Sequence, residues 1–452
     1  MQATNLALPA LLASLMAATQ VDSTPPADVL AAPTRPLDAR VKAEKVTSLP
    51  PPVLPGTLTV PPPVIRRIAG SPAQVPVSQE CFDRARAAID RGLAFLRTSQ
   101  GAEGGWMEGV QGQGSEASRP SKAASTAVTA LVLRAFAQAG YDESNDPTVQ
   151  RGARRMLSLA WKDGRFSPDP AGSMETYVAS CTALALAALD ARAHDEALRE
   201  TLAFLRAAQW DQEDGVRPEQ DWFGGVGYGG HGRPDLSNTQ FMLDALHDAD
   251  VKGDDPAVQR ALAFVQRCQN RKGPEAPAWA EAGSGDGGFV YTVANGGESF
   301  ASEVAGEGRY GEKMPPGTRA LRSYGSMTYA GYKSMLFAGL APDDPRVQAA
   351  MQWIASHFTL LENPGLGKQG LFYYRLAMSR ALLAAQRDRV TDASGAAHDW
   401  RCELIAALSA DQRADGAWVN EKDRWMEGQP DLVTAYAVLA LEEAIKPSLR
   451  TE

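Results

Sequence analysis

Arg91-Gly92-Leu93-Ala94-Phe95-Leu96-Arg97-Thr98-Ser99-Gln100, followed by Gly104-Gly105-Trp106, is the stretch from which the fold can be read. Ile89, Leu93 and Leu96 fall at the three-and-four spacing of one helix face. The glycines then stop the helix, and a single aromatic follows the stop. The same phrase returns along the chain. Thr201-Leu202-Ala203-Phe204-Leu205 leads to Gln209 and then to Gly224-Gly225-Val226. Arg260-Ala261-Leu262-Ala263-Phe264-Val265 leads to Gln269 and Gly287-Gly288-Phe289, and Leu404-Ile405-Ala406-Ala407-Leu408 leads to Gln412 and Asp415-Gly416-Ala417-Trp418. Weaker copies run through Arg155-Met156-Leu157 to Asp163-Gly164-Arg165-Phe166, and through Met351-Gln352-Trp353-Ile354 to Gly370-Leu371-Phe372, which makes six.

A second, more apolar helix is expected after each copy, over residues 125–137, 175–189, 235–246, 324–337, 373–385 and 431–441. Cys181-Thr182-Ala183-Leu184-Ala185-Leu186-Ala187-Ala188-Leu189 is typical of them, being rich in alanine and without a polar face, and so buried on most sides. The helices before the glycines carry charge, as at Arg91, Arg97, Arg154, Arg260 and Arg267. The chain therefore alternates an outer amphipathic helix, a glycine turn and an inner buried helix. Six such hairpins with buried inner members predict an all-α (α/α)6 toroid, closed rather than open, over residues 79–446.

What precedes the repeats is different material. The apolar stretch Leu6 to Met16, followed by Ala17 and Ala18, has the form of a signal-peptide core, although no Lys or Arg occurs before Arg35. Residues 1–20 are read as a signal peptide, which implies export. Residues 21–78 contain Pro25-Pro26, Pro50 to Pro52 and Pro61 to Pro63, with few large apolar residues, and are read as a disordered tether. No later segment has the ~20 unbroken apolar residues of a membrane span. The 452 residues carry a net charge of −9 and show no basic patch, which excludes nucleic acid as a partner. Cys81, Cys181, Cys268 and Cys402 form no CxxC pair and read as buried free thiols, with a Cys81–Cys402 disulfide as the alternative in an exported chain.

On these repeats the chain resembles the prenyltransferase and squalene-cyclase superfamily. Arg91 through Phe95, Gln100 and Trp106 look like the glutamine-tryptophan repeat of triterpene cyclases. In that family the Gln and the Trp tie an outer helix end to the next turn. The resemblance covers roughly residues 79–444. It implies a ring whose inner helices open at one mouth, and an apolar isoprenoid-like ligand held there. It also implies two chemistries to look for. Class II cyclases start with an Asp-rich motif whose middle Asp protonates an alkene or epoxide, and such an acid must be buried. The matching stretch here is Asp235-Leu236-Ser237-Asn238-Thr239, in which a serine stands at the proton donor's position. Protein prenyltransferases hold zinc through Asp, Cys and His, and none of His194, His231, His247, His357 and His398 makes such a set. No metal and no cofactor is expected.

Candidate ligand-binding residues are those at the starts of the inner helices: Glu175, Asp235 with Asn238, Tyr324, Tyr373 and Asp431. The Gly- and aromatic-rich loop from Asp221 through Trp222 and Tyr228 to His231 leads straight into Asp235 and adds a lip to the mouth. The long insertion of residues 283–324 is expected to act as a lid, with Arg319 and Arg322 meeting an anionic group. If the chain is an enzyme, Asp235 is the candidate acid of a cyclase- or mutase-like reaction. The competing readings are an exported scaffold presenting a rigid ring, and a glycan-active (α/α)6 enzyme using paired carboxylates and aromatic platforms.

Overall fold

The computed structural model describes residues 77–108, 122–168, 174–189, 192–274, 276–313 and 319–446. The expected signal peptide lies outside the described residues, as does nearly all of the expected tether. Fourteen α-helices are found among the described residues. The outer helices are α1 (Gln79–Ser99), α3 (Pro147–Ala160), α5 (Asp195–Ala207), α7 (Pro256–Arg267), α11 (Pro345–Ser356) and α13 (Trp400–Asp411). The inner helices are α2 (Lys122–Gln138), α4 (Glu175–Ala188), α6 (Leu236–Asp248), α10 (Gly325–Phe337), α12 (Leu371–Ala384) and α14 (Pro430–Ile445). Two short helices, α8 (Ala278–Ala282) and α9 (Phe300–Val304), fall in the segment between α7 and α10. Three antiparallel hairpins of two-residue strands decorate the turns, with Trp161 opposite Phe166, Glu312 opposite Ala320 and Val390 opposite His398. Strands this short leave no alternation to read in the sequence.

Local chemistry starts the outer helices cleanly. Asp146, Asp255 and Asp344 are N-caps, each accepting from a backbone N–H two residues on, and each is followed by a proline whose missing N–H costs nothing there. Outer helices bury one face. In α7 it is Ala257, Val258, Ala261, Leu262, Phe264 and Val265. Inner helices bury almost every side chain, as α4 does from Val178 to Leu186.

The inner helices form a closed circuit: α2 packs on α4, α4 on α6, α6 on α10, α10 on α12, α12 on α14, and α14 on α2. Outer helices stand behind them, α3 against α2, α5 against α4, α7 against α6 and α10, α11 against α10, and α1 with α13 against α14. One device recurs along the outer belt. The Gln209 side chain donates to Gly224 O at 2.8 Å and to Ala257 O at 3.0 Å, and accepts from Arg260 at 2.9 Å. Gln100 makes the equivalent bonds to Gly104 O and Thr148 O and accepts from Arg151. Gln269 donates to Gly287 O and Arg346 O. Gln412 donates to Gly416 O and Ala88 O and accepts from Arg91, so the last repeat is tied to the first. Each amide thus satisfies a turn carbonyl and a carbonyl of the next outer helix. The Trp106 indole donates to Leu96 O, and the Trp418 indole to Leu408 O, both at 2.7 Å.

The first and last outer helices are also joined covalently. Cys81 and Cys402 form a disulfide with Cα atoms 5.5 Å apart. Free, buried thiols remain only at Cys181 and Cys268, so that reading is corrected for the other two cysteines. The alternative reading of a Cys81–Cys402 disulfide is the one found, across 321 residues, because the ring brings α1 beside α13.

Candidate functional site

The two ends of the inner ring differ chemically. At the C-terminal ends a buried ion network fills the middle. Arg134 meets Asp248 at 2.9 Å, Arg380 meets Asp248, Asp244 and Glu443 at 3.1, 3.2 and 3.4 Å, and Lys333 meets Asp244 at 2.6 Å. Five inner helices contribute, so all five run in the same direction. Opposite charges pair here because neither sign tolerates burial alone.

The N-terminal ends carry an aromatic chamber. The hydroxyls of Tyr177 (α4) and Tyr436 (α14) are 3.1 Å apart. The Tyr177 ring meets Phe241 (α6) edge-on at 5.1 Å, Phe241 stacks on Tyr373 (α12) at 6.1 Å, and Tyr373 lies 6.1 Å from Tyr436. These four side chains close a circle across the toroid. Tyr228 adjoins Tyr177 at 6.1 Å, and Tyr291 adjoins Phe300 at 4.7 Å, with Trp425 a further 5.3 Å from Phe300. Burial pushes the phenols of Tyr177, Tyr228, Tyr291, Tyr324 and Tyr373 above their ordinary range, so they stay protonated. Yet Tyr177, Tyr228, Tyr291 and Tyr373 each keep part of their surface accessible. Side chains surrounded by protein and still accessible are the walls of a concave space.

Polar groups sit where the helix N-termini point. Asp235, the N-cap of α6, is buried, and its carboxylate accepts from Ser237 Oγ at 2.5 Å, Asn238 N at 2.9 Å and Asn238 Nδ2 at 2.7 Å. Burial raises its pKa, and these three bonds oppose the rise. Glu427 does the same service for α12, whose own N-cap, Gly370, has no side chain. Its carboxylate accepts from Tyr373 N at 2.8 Å, Phe372 N at 3.3 Å and Asn420 Nδ2 at 2.6 Å, and burial raises its pKa too. Asp431 accepts from Met107 N at 3.1 Å and is likewise raised by burial. Glu175 opens α4 in its first turn. Below the phenols, Gln240 Nε2 donates to the Tyr373 hydroxyl at 3.2 Å, and Lys333 Nζ donates to Gln240 Oε1 at 2.7 Å, which links the chamber floor to the ion network.

The other expected site residues go elsewhere. Trp222 is fully buried in a satellite core with Trp210, Val216, Phe223 and Ala294, its indole donating to Asn295 Oδ1 at 3.2 Å. His231 packs on Trp210 at 5.0 Å with its Nε2 3.2 Å from Asp214. Asp221 lies on the same loop, in the electrostatic reach of Arg267. Arg322 is exposed and pairs with Glu307 at 2.5 Å, and Arg319, also exposed, lies 5.2 Å over the Tyr310 ring. The insertion reaches the mouth through other residues: Phe300 meets Trp425, and Glu303 meets Arg424 at 3.0 Å. Phe241, Tyr291, Glu427 and Tyr436 belong to the chamber without having been expected there. A lone aromatic in an Ala-rich inner helix, as in Thr434-Ala435-Tyr436-Ala437, is the signal that marks Tyr436.

One closed inner circuit, one outer belt and one aromatic mouth make up the described residues. The fold is a closed all-α toroid of six helical hairpins. The chain is similar to the type II terpene cyclase MstE from Scytonema. With a variant bound to geranylgeranyl dihydroxybenzoate the likeness covers 81% of this chain and 99% of that one, at 13% identity and a TM-score of 0.47. With the apo protein it covers 80% and 99%, at 14% identity and a TM-score of 0.45. A protein from Actinoplanes is similar over 80% of this chain and all of its own, at 15% identity and a TM-score of 0.33. No family model matches the chain, and no curated protein sequence does. Among the described residues of the toroid, no group of three or more His, Cys, Asp or Glu is placed to hold a metal ion, and no helix is long and apolar enough to cross a membrane.

Proposed function

We propose that the toroid binds an apolar isoprenoid-like molecule in the aromatic chamber at the N-terminal mouth. The observation that carries this reading is the closed circle of Tyr177, Phe241, Tyr373 and Tyr436, contributed by four separate inner helices. Aromatic faces offer a large apolar area at low cost in side-chain entropy, and π-clouds that attract electron-poor carbon. Binding is favoured over alkene protonation by the chemistry around Asp235. The neighbour at the donor position is Ser237, which itself donates to Asp235, and all three hydrogen bonds to this carboxyl oppose the upward push that burial gives its pKa. The disulfide between Cys81 and Cys402 supports export to an oxidising compartment.

The test is retention of labelled squalene and geranylgeranyl compounds by the purified protein, with extraction and mass analysis of what is bound. Unchanged ligand is expected to be retained, and Tyr177→Ala with Tyr373→Ala is expected to lower retention about tenfold or more. A cyclised product that disappears in Asp235→Asn would make the protein a catalyst and overturn the binding-only reading. No retention of any isoprenoid would sink the proposal.

A further inference from the structure

The chamber is not uniformly apolar, and its polar groups are not all matched. Tyr324 caps α10 and is 2% exposed, yet its hydroxyl bonds no protein group among the described residues, and neither does that of Tyr291. Both belong to the corner where α6 begins. Leu236 N donates to Tyr291 O at 2.8 Å, Thr292 Oγ1 donates to Pro234 O at 2.7 Å, and Tyr324 opens the helix that packs beside α6. Both phenols also lie within the field of the Asp235 carboxylate, which adds to the burial that keeps them protonated. On Asp235, Oδ1 takes two donors and Oδ2 takes one, so Oδ2 retains a lone pair. Asn238 spends its Nδ2 on Asp235, and its buried Oδ1 has no donor.

The corner therefore offers unspent donors and unspent acceptors together. An alkyl chain satisfies neither, and a carbonyl satisfies only the donors. A hydroxyl gives one hydrogen bond and can take two. A diphosphate is the wrong charge: Arg233 pairs with Glu298, Arg309 with Glu298 and Glu303, and Arg424 with Glu303, so the nearby guanidiniums are already committed. An anion placed here would face Asp235 without a cation to offset it.

We infer that this corner is a hydroxyl-recognition subsite, in which Tyr291 and Tyr324 donate to the oxygen of an isoprenoid alcohol and Asp235 Oδ2 accepts its proton in a hydrogen bond. The inference rests on the isoprenoid-binding reading and adds the chemical class of the ligand's polar end.

Three probes of one chain length separate the cases: geranylgeraniol, geranylgeranyl diphosphate, and the corresponding hydrocarbon. Affinity is measured by equilibrium dialysis for the full chain and for Tyr291→Phe with Tyr324→Phe, whose thermal unfolding is recorded to confirm an intact fold. The alcohol is expected to bind most tightly. The double variant is expected to lose roughly 10- to 100-fold in affinity for the alcohol, two hydrogen bonds' worth, and to keep its affinity for the hydrocarbon. Equal binding of alcohol and hydrocarbon, unaffected by the double variant, overturns the subsite and leaves isoprenoid binding standing. Tightest binding of the diphosphate also overturns it. Failure of all three probes to bind removes the binding reading and the subsite with it.

Discussion

Gly224 has φ +83°, and a Cβ built on it would lie 1.8 Å from Arg260 O in the next outer helix. Gly104, Gly287 and Gly416 stand at the same point of their repeats, against Arg151, Ala349 and Arg91. The turn glycine is therefore where two hairpins touch backbone to backbone. Gly224→Ala is expected to destabilise the protein by ~3 kcal/mol or more, because both the left-handed conformation and the contact resist a side chain. Gly140 has φ +94° with open space around it, so Gly140→Ala should cost only about 1 kcal/mol. Urea unfolding of the two variants checks this, and equal losses would mean that the close approach is absent. Glu442 is a second residue-scale case. It is fully buried on α14, neither carboxyl oxygen has a hydrogen-bond partner, and burial pushes its pKa well above 4.5. A raised acid is protonated in the fold and ionises in the unfolded chain, so it lowers stability as pH rises above the unfolded value. Glu442→Gln should match the parent near pH 4 and melt progressively higher than it from there to pH 8. Parallel melting curves across that range would show that Glu442 ionises in the fold.

At the scale of elements, four of the outer-helix junctions are held by a glutamine amide, buried at Gln209 and Gln269, rather than by apolar contact alone. Gln209 is fully buried, and its removal would strip a partner from Gly224 O and Ala257 O and leave Arg260 without its acceptor. Gln209→Ala is expected to cost ~2–4 kcal/mol in chemical denaturation, since orphaned buried groups bear the full desolvation penalty. Gln412 makes the same bonds at a half-buried position, where water can replace the amide, and Gln412→Ala should cost less. Most of the elements are legible in the sequence. The inner helix expected over 235–246 is found as Leu236–Asp248, and the one expected over 431–441 as Pro430–Ile445. Boundaries differ where capping comes from elsewhere in the chain. The helix expected from residue 373 begins at Leu371 because Glu427, 55 residues beyond Phe372, holds its first N–H groups.

At the scale of the whole molecule, closure is achieved by the meeting of the first and last repeats. Gln412 with Arg91, Gly416 against Arg91 O, α14 against α2, and the Cys81–Cys402 bond all span that seam. Cross-linking positions 321 residues apart constrains the unfolded chain strongly, with a chain-entropy ceiling of ~5 kcal/mol. Reductant should therefore lower the melting temperature of the native protein and leave a Cys81→Ser, Cys402→Ser variant unchanged. A native protein whose melting does not respond to reductant would show that the seam is held without the bond.

The sequence by itself determined what repeats: the alternation of amphipathic and all-apolar helices and the glycine stops, which follow from preferences acting over a few neighbouring residues. Tertiary structure alone decided what meets. Tyr177 reaches Tyr436 across 259 residues, Leu236 N at the start of α6 meets Tyr291 O, and Trp222 and His231 turn into a satellite core instead of the mouth. A helix period says which face is buried, but the partner on that face depends on how each hairpin is rotated and shifted against the next. Those offsets are set only when the ring closes and the buried polar groups find one another.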